Sequence, residues 1–173
     1  MQPASAMAIE IDDAKFQQIL DATLGSQRIG PQEIRTILQV AQLAATVDLD
    51  DDPDERTLLG TLTSKLCAVA GISPQTVPLL SPIPTDDEER TARIAALVRQ
   101  LPTTGARDLA FALAYLLIVV DLELAPIEDA LLRELLRQLT IPGDRATDLI
   151  DAIAAIVTPG EAGEPPPVVA RTC

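Results

Sequence analysis

Apolar residues recur along this chain with the period of an α-helix. Phe16, Ile19, Leu20 and Leu24 share one face of a helix that starts near Ile11. "GSQRIGP" breaks it, and Pro31 suits the first position of the next helix. That helix carries Ile34, Ile37, Leu38, Ala41, Ala44 and Ala45 and should end near Asp48. A third carries Leu58, Leu59, Leu62, Leu66 and Val69 and stops at "AGISPQ". Four prolines within residues 72–85 exclude a long helix there, leaving a connection with room for one short turn. Thr85, with Glu88 three residues on, is placed to cap a helix bearing Ile94, Leu97, Val98 and Leu101. The run "LAFALAYLLIVV", Leu109 to Val120, lies between Asp108 and Asp121. It falls short of the roughly 20 apolar residues needed to cross a bilayer and predicts a buried central helix from about Ala106 to Val120. Pro126 opens a helix with Leu131, Leu132, Leu135 and Leu139. Asp144 caps a last one with Leu149, Ile150, Ile153 and Ile156. The prediction is an all-α bundle of about seven to eight helices over residues 10–157. Residues 1–9 and the Pro/Gly-rich tail 158–173 are expected to be disordered.

The pattern also repeats. "AQLAATVDLDDDPDERTLLGTL" from Ala41 aligns without gaps on "AYLLIVVDLELAPIEDALLREL" from Ala114, an offset of 73 (114 − 41). Val47, Asp48 and Leu49 match Val120, Asp121 and Leu122. Pro53, Glu55, Leu58, Leu59 and Leu62 match Pro126, Glu128, Leu131, Leu132 and Leu135. Helical leucines can align by chance, but an Asp, a Pro and a Glu held at fixed places in one junction do not readily do so. The bundle is therefore expected to contain two similar helix–loop–helix units, around residues 31–71 and 104–157, joined by the Pro-rich connection 72–85. Pairing about a pseudo-twofold axis would bring the two junctions near each other.

Composition narrows the chemistry. Hydrophobic residues make up 47% of the chain but aromatics only 2%, so Leu, Ile, Val and Ala must build the core. The net charge of −13 argues against nucleic acid and anionic membrane surfaces, and leaves cations or a basic protein partner. With no histidine, the usual neutral-pH base and the common zinc ligand are both absent. No nucleophile–base pair or Gly-rich phosphate loop stands out, so no enzymatic activity is expected. Cys67 reads as a small core residue, and its pairing with Cys173 in the tail is not expected. No secretory leader or membrane span is apparent, and a cytoplasmic location is expected.

The first junction, "VDLDDDPDERTLL", places six carboxylates within residues 48–55. An EF-hand frame from Asp48 puts Pro53 at the glycine position and Leu59 at the terminal glutamate; a frame from Asp50 puts Glu55 and Thr61 there. Neither frame can work. Asp52, Pro53 and Glu55 instead read as a helix start with an Asp cap. Asp48, Asp50 and Asp52, with Asp121 and Glu123, would offer oxygens to Ca²⁺ or Mg²⁺ if the junctions meet. The alternative is that the carboxylates outside the cap are solvated, or form an acidic face for a basic partner with no metal.

These junctions resemble those of the tellurite-resistance TerB-like family. In that family two helical units are each marked by an Asp-Gly, a short loop and a Glu opening the next helix. Asp48 with Glu55, and Asp121 with Glu128, occupy the matching positions. The pattern's apolar loop residue is matched by Leu124 but replaced by Asp51 in the first unit. Its Gly is replaced by Leu49 and Leu122, where a left-handed turn would cost about 1 kcal/mol or more. The resemblance covers residues 10–157 in layout. It implies an all-helical, non-enzymatic protein linked to tellurite or stress resistance, with acidic junctions suited to a divalent cation.

Overall fold

The computed structural model describes residues 9–47, 52–78, 84–120 and 125–157. Every regular element among them is helical: α1 (Asp13–Thr23), α2 (Pro31–Thr46), α3 (Pro53–Ala70), α4 (Asp87–Val98), α5 (Thr104–Val119), α6 (Pro126–Gln138) and α7 (Gly143–Val157), with a 3-10 turn at Pro74–Thr76. No helix among the described residues is long and apolar enough to cross a membrane.

Local chemistry accounts for the helix ends. Asp12 Oδ1 accepts the Lys15 N–H at 2.7 Å and starts α1. Pro31 and Pro53 take the first positions of α2 and α3, where a missing N–H costs nothing. At the end of α3, Gly71 adopts a left-handed φ of 67° while the Ile72 N–H donates to Cys67 O, so the last carbonyls stay satisfied. Three starts differ from expectation. The cap of α4 is Asp86, not Thr85, and it accepts the Glu89 N–H at 2.7 Å, so Glu89 rather than Glu88 is the third helical residue. A carboxylate outranks a threonine hydroxyl as a cap, which moves the start by one residue. The α5 helix begins at Thr104 because Thr103 Oγ1 caps the Ala106 N–H at 3.2 Å. The α7 helix begins at Gly143, and Asp144 sits inside its first turn, where its charge suits the helix dipole.

The central element is α5, buried nearly all round and packed against α1, α2, α3, α6 and α7. Phe111 is wholly buried and stacks on Tyr115 with ring centroids 6.3 Å apart. Ile34, Ile37, Leu38, Leu62, Leu66, Ile94 and Leu135 complete the same core. Val69 does not join it. Near its C-terminal end α3 buries Leu66 and Cys67 instead, and Val69 is left 52% exposed.

The contact between α2 and α5 is the most extensive in the bundle. Their starts adjoin: Thr103 Oγ1 donates to Glu33 Oε2 at 3.4 Å, and the Gly105 N–H donates to Gln27 Oε1 at 3.0 Å. A Cβ on residue 105 would lie 2.4 Å from that Gln27 oxygen, so glycine permits the approach. The two helices thus run alongside each other in the same direction, and Val47 and Val120 come out at one end of the bundle. The α6 helix returns toward the other end, where Thr140 beyond its last turn meets Arg107 at the start of α5 at 3.0 Å. Both α2 and α5 have 16 residues, and α5 and α6 begin 73 residues after α2 and α3 (104 − 31 and 126 − 53). Packing follows the same correspondence: α1 lies on α5 and α4 on α2, while α3 lies on α2 and α6 on α5.

Candidate functional site

The end of the bundle at which α2 and α5 finish is also where α3 and α6 begin. At the start of α3, Asp52 Oδ1 accepts the Asp54 N–H at 2.7 Å. Pro53 and Asp54 follow, and Glu55 is the third helical residue, only 4% exposed. Glu128 holds the corresponding place in α6 and is 1% exposed. Its Oε2 accepts the Ala125 N–H at 2.7 Å, so the side chain reaches back to the residue before the helix. Ala125 has no side-chain acceptor to return the bond, and its carbonyl instead takes the Glu128 and Asp129 N–H groups at 3.0 Å each.

Burying a carboxylate costs several kcal/mol unless hydrogen bonds replace its water. Two helix starts that each bury a glutamate at the third position are therefore specialised. Residues there are more often exposed, where the dipole rewards the charge without desolvation. Glu55, like Glu128, is a partnered group. The sequence marks both glutamates through the repeat but does not show their burial.

Of the five residues expected to offer cation ligands, the described structure contains Asp52 alone, with one oxygen already committed to the cap. Asp48, Asp50, Asp121 and Glu123 lie outside the described residues, as do Leu49, Asp51, Leu122 and Leu124. Among the described residues no group of three or more His, Cys, Asp or Glu is placed to hold a metal ion. Carboxylate oxygens such as those of Asp52 suit a hard cation better than zinc. Other acidic positions have plain structural roles. Asp86, Asp87, Glu88 and Glu89 start α4, with Asp87 also paired to Arg90 at 2.7 Å.

Sequence reading missed a polar cluster at the opposite end. Asp108, seen there only as the edge of an apolar run, is 8% exposed and ion-paired to Arg145 of α7 at 2.8 Å. Arg145 also donates to Ala22 O at the end of α1, 2.9 Å away, and so ties three helices. No local pattern announces a pair separated by 37 positions.

The chain matches no protein-family model, no curated protein and no solved structure. What defines it is its architecture, an all-helical bundle with paired helix starts that bury one glutamate each.

Proposed function

We propose that this is a non-enzymatic protein of the TerB-like kind, linked to tellurite or stress resistance, whose working end is the pair of acidic junctions. A divalent cation, Ca²⁺ or Mg²⁺, would be held there by carboxylates from Asp48, Asp50, Asp52, Asp121 and Glu123. The observation that carries the reading is the equivalence of Glu55 and Glu128. Both are buried third residues of helices that begin 73 positions apart (126 − 53), directly after the acidic segments. The parallel course of α2 and α5 supports it further, since Val47 and Val120 lead into both segments from one end. Duplication of a helix–loop–helix unit accounts for the shared lengths, starts and packing. Such a protein would report or buffer a cation, or present its acidic end to a basic partner once the cation is bound.

Thermal unfolding with and without Ca²⁺, Mg²⁺ or chelator tests the reading. A specific site stabilises the fold by mass action, by about 2.7 kcal/mol at a hundredfold excess over Kd, and so raises the melting temperature. Asp48→Asn combined with Asp121→Asn should abolish that rise. No shift at millimolar cation overturns the cation site. An interaction that survives chelator but weakens in high salt would leave the acidic end as a partner surface alone.

A further inference from the structure

At the end away from the acidic junctions lies a cleft of about 580 Å³, within the range of small-ligand sites. It opens between the end of α1 (Asp21 to Gln27), the start of α5 (Thr104, Arg107, Asp108) and the turn from α6 to α7 (Leu139 to Pro142, with Arg145). In a chain with twice as many acidic as basic residues, 26 to 13, two arginines share this one opening with two aspartates, Asp21 at its α1 side and Asp108.

The two guanidinium groups differ in their partners. Arg145 is neutralised, since its Nε and Nη2 both face Asp108 Oδ2, at 2.9 and 2.8 Å. Arg107 is not. Its Nε donates to Leu101 O at 2.8 Å and its Nη1 to Thr140 Oγ1 at 3.0 Å. Both acceptors are neutral, and among the described residues no carboxylate pairs with Arg107. A guanidinium has five N–H donors, so Arg107 keeps its Nη2 edge uncommitted, and Arg145 keeps Nη1. The side chain of Arg107 is thus oriented at two points, half-buried and short of a counter-charge.

Its anchor is itself costly to maintain. Thr140 has φ 55°, alone among the described non-glycine residues in being left-handed. A β-branched residue is poorly suited to that region, and Gly71 fills the same role at the end of α3. What Thr140 supplies that glycine would not is the hydroxyl, which donates to Leu139 O at 2.7 Å and accepts from Arg107.

We propose that this cleft binds a small oxyanion, a phosphate or carboxylate group, through Arg107 with Arg145 beside it. Such a group accepts from the free guanidinium edges and supplies the charge that Arg107 lacks. The exposed Thr104 at the mouth offers a hydroxyl for a further contact.

The test uses the full chain, with inorganic phosphate and succinate as probes and sodium chloride at matched ionic strength as the control. Calorimetry and melting should show saturable binding of one or both probes at millimolar concentration and none for chloride. The probe that saturates identifies the source as phosphate or carboxylate. Arg107→Gln should weaken binding about tenfold or more, as expected for losing a charge-assisted contact. Thr140→Gly separates binding from folding. It should melt higher than the parent because the left-handed strain is relieved, yet bind the probe more weakly because Arg107 loses its anchor. Binding by neither probe overturns the proposal, and so does unchanged affinity in Arg107→Gln or in Thr140→Gly.

Discussion

Replacing Glu128 gives the most direct measure of what the buried helix starts contribute. Its carboxylate is 1% exposed and accepts the Ala125 N–H at 2.7 Å. Truncation to alanine removes that acceptor. An unsatisfied amide costs about 1–3 kcal/mol when buried, nearer the lower end for the half-buried Ala125 N–H, and a lost negative charge in the first helical turn about 0.3–1 kcal/mol. The sum is about 1–4 kcal/mol. For a domain of this size each kcal/mol moves the midpoint by about 2–4 °C, so Glu128→Ala should melt roughly 3–16 °C below the parent. Glu128→Gln keeps an oxygen acceptor for the Ala125 N–H and loses the charge assistance of that bond, about 1 kcal/mol, so its loss should be smaller than that of Glu128→Ala. Circular dichroism at 222 nm (the helix band) in chelator, followed through heating, gives both values. A Glu128→Ala midpoint within about a degree of the parent would refute the claim that this carboxylate holds the start of α6.

Two further outcomes follow from the titrating groups. A hydrogen bond from Arg137 holds Glu134 below its ordinary value of 4.5, burial opposing, with Gln138 and the Arg137 charge adding to the lowering. A depressed carboxylate stabilises the fold above its unfolded value and loses that contribution as pH falls through its folded value. The parent should therefore lose more stability than Glu134→Gln between pH 5 and the acid limit (about 3), and equal losses would contradict the pairing. Burial pushes the Cys67 thiol up, with the Arg35 charge acting against it. In a Cys173→Ser background, Cys67 should react with a disulfide reagent at about pH 8 only as fast as the bundle opens, and complete reaction on mixing would show that it is not enclosed.

Hydrophobic period made most of the architecture legible. Every apolar position of α4 and α6 named from spacing is buried, because each of those helices packs one face inward. The central α5 was legible for a different reason, having almost no polar residue to turn outward. Val69 was misplaced because spacing assumes a constant buried face, whereas the inward side of α3 moves round to Cys67 at its end. Helix starts shifted wherever several capping residues adjoin, as in Thr85, Asp86 and Asp87, since the sequence offers each of them and tertiary position chooses one. The cleft was invisible for a deeper reason. Thr140 occupies a position whose conformation usually calls for glycine, and Gln27 reaches Gly105 across 78 positions. Neither has a signature that one segment read alone displays. The candidate cation ligands were the reverse case, conspicuous in sequence, with Asp52 alone among them described and already serving a cap.

The starts of α3 and α6 and the Arg107 cleft lie at opposite ends of the bundle, and that separation bears on how they can act. The α2 and α5 helices have 16 residues each, which makes them about 24 Å long. In physiological salt the Debye length is about 8 Å, so charges at the acidic end and Arg107 at the other are screened from each other across the surface. Along the core, α5 carries no charged side chain between Asp108 and its last residue, Val119, to relay one end to the other. A charge bound at the junctions would therefore act only weakly on Arg107, because of the distance and the surface screening. Any stronger coupling between the ends must be mechanical, through movement of α5 against α2. Small residues buried on the two helices, Ala41, Ala44, Ala106, Ala110 and Ala114 among them, leave little side-chain freedom to absorb a shift. The two helices should move as one body or not at all. The cation site proposed at the junctions and the oxyanion site proposed in the cleft would then act separately, and the failure of either proposal leaves the other standing.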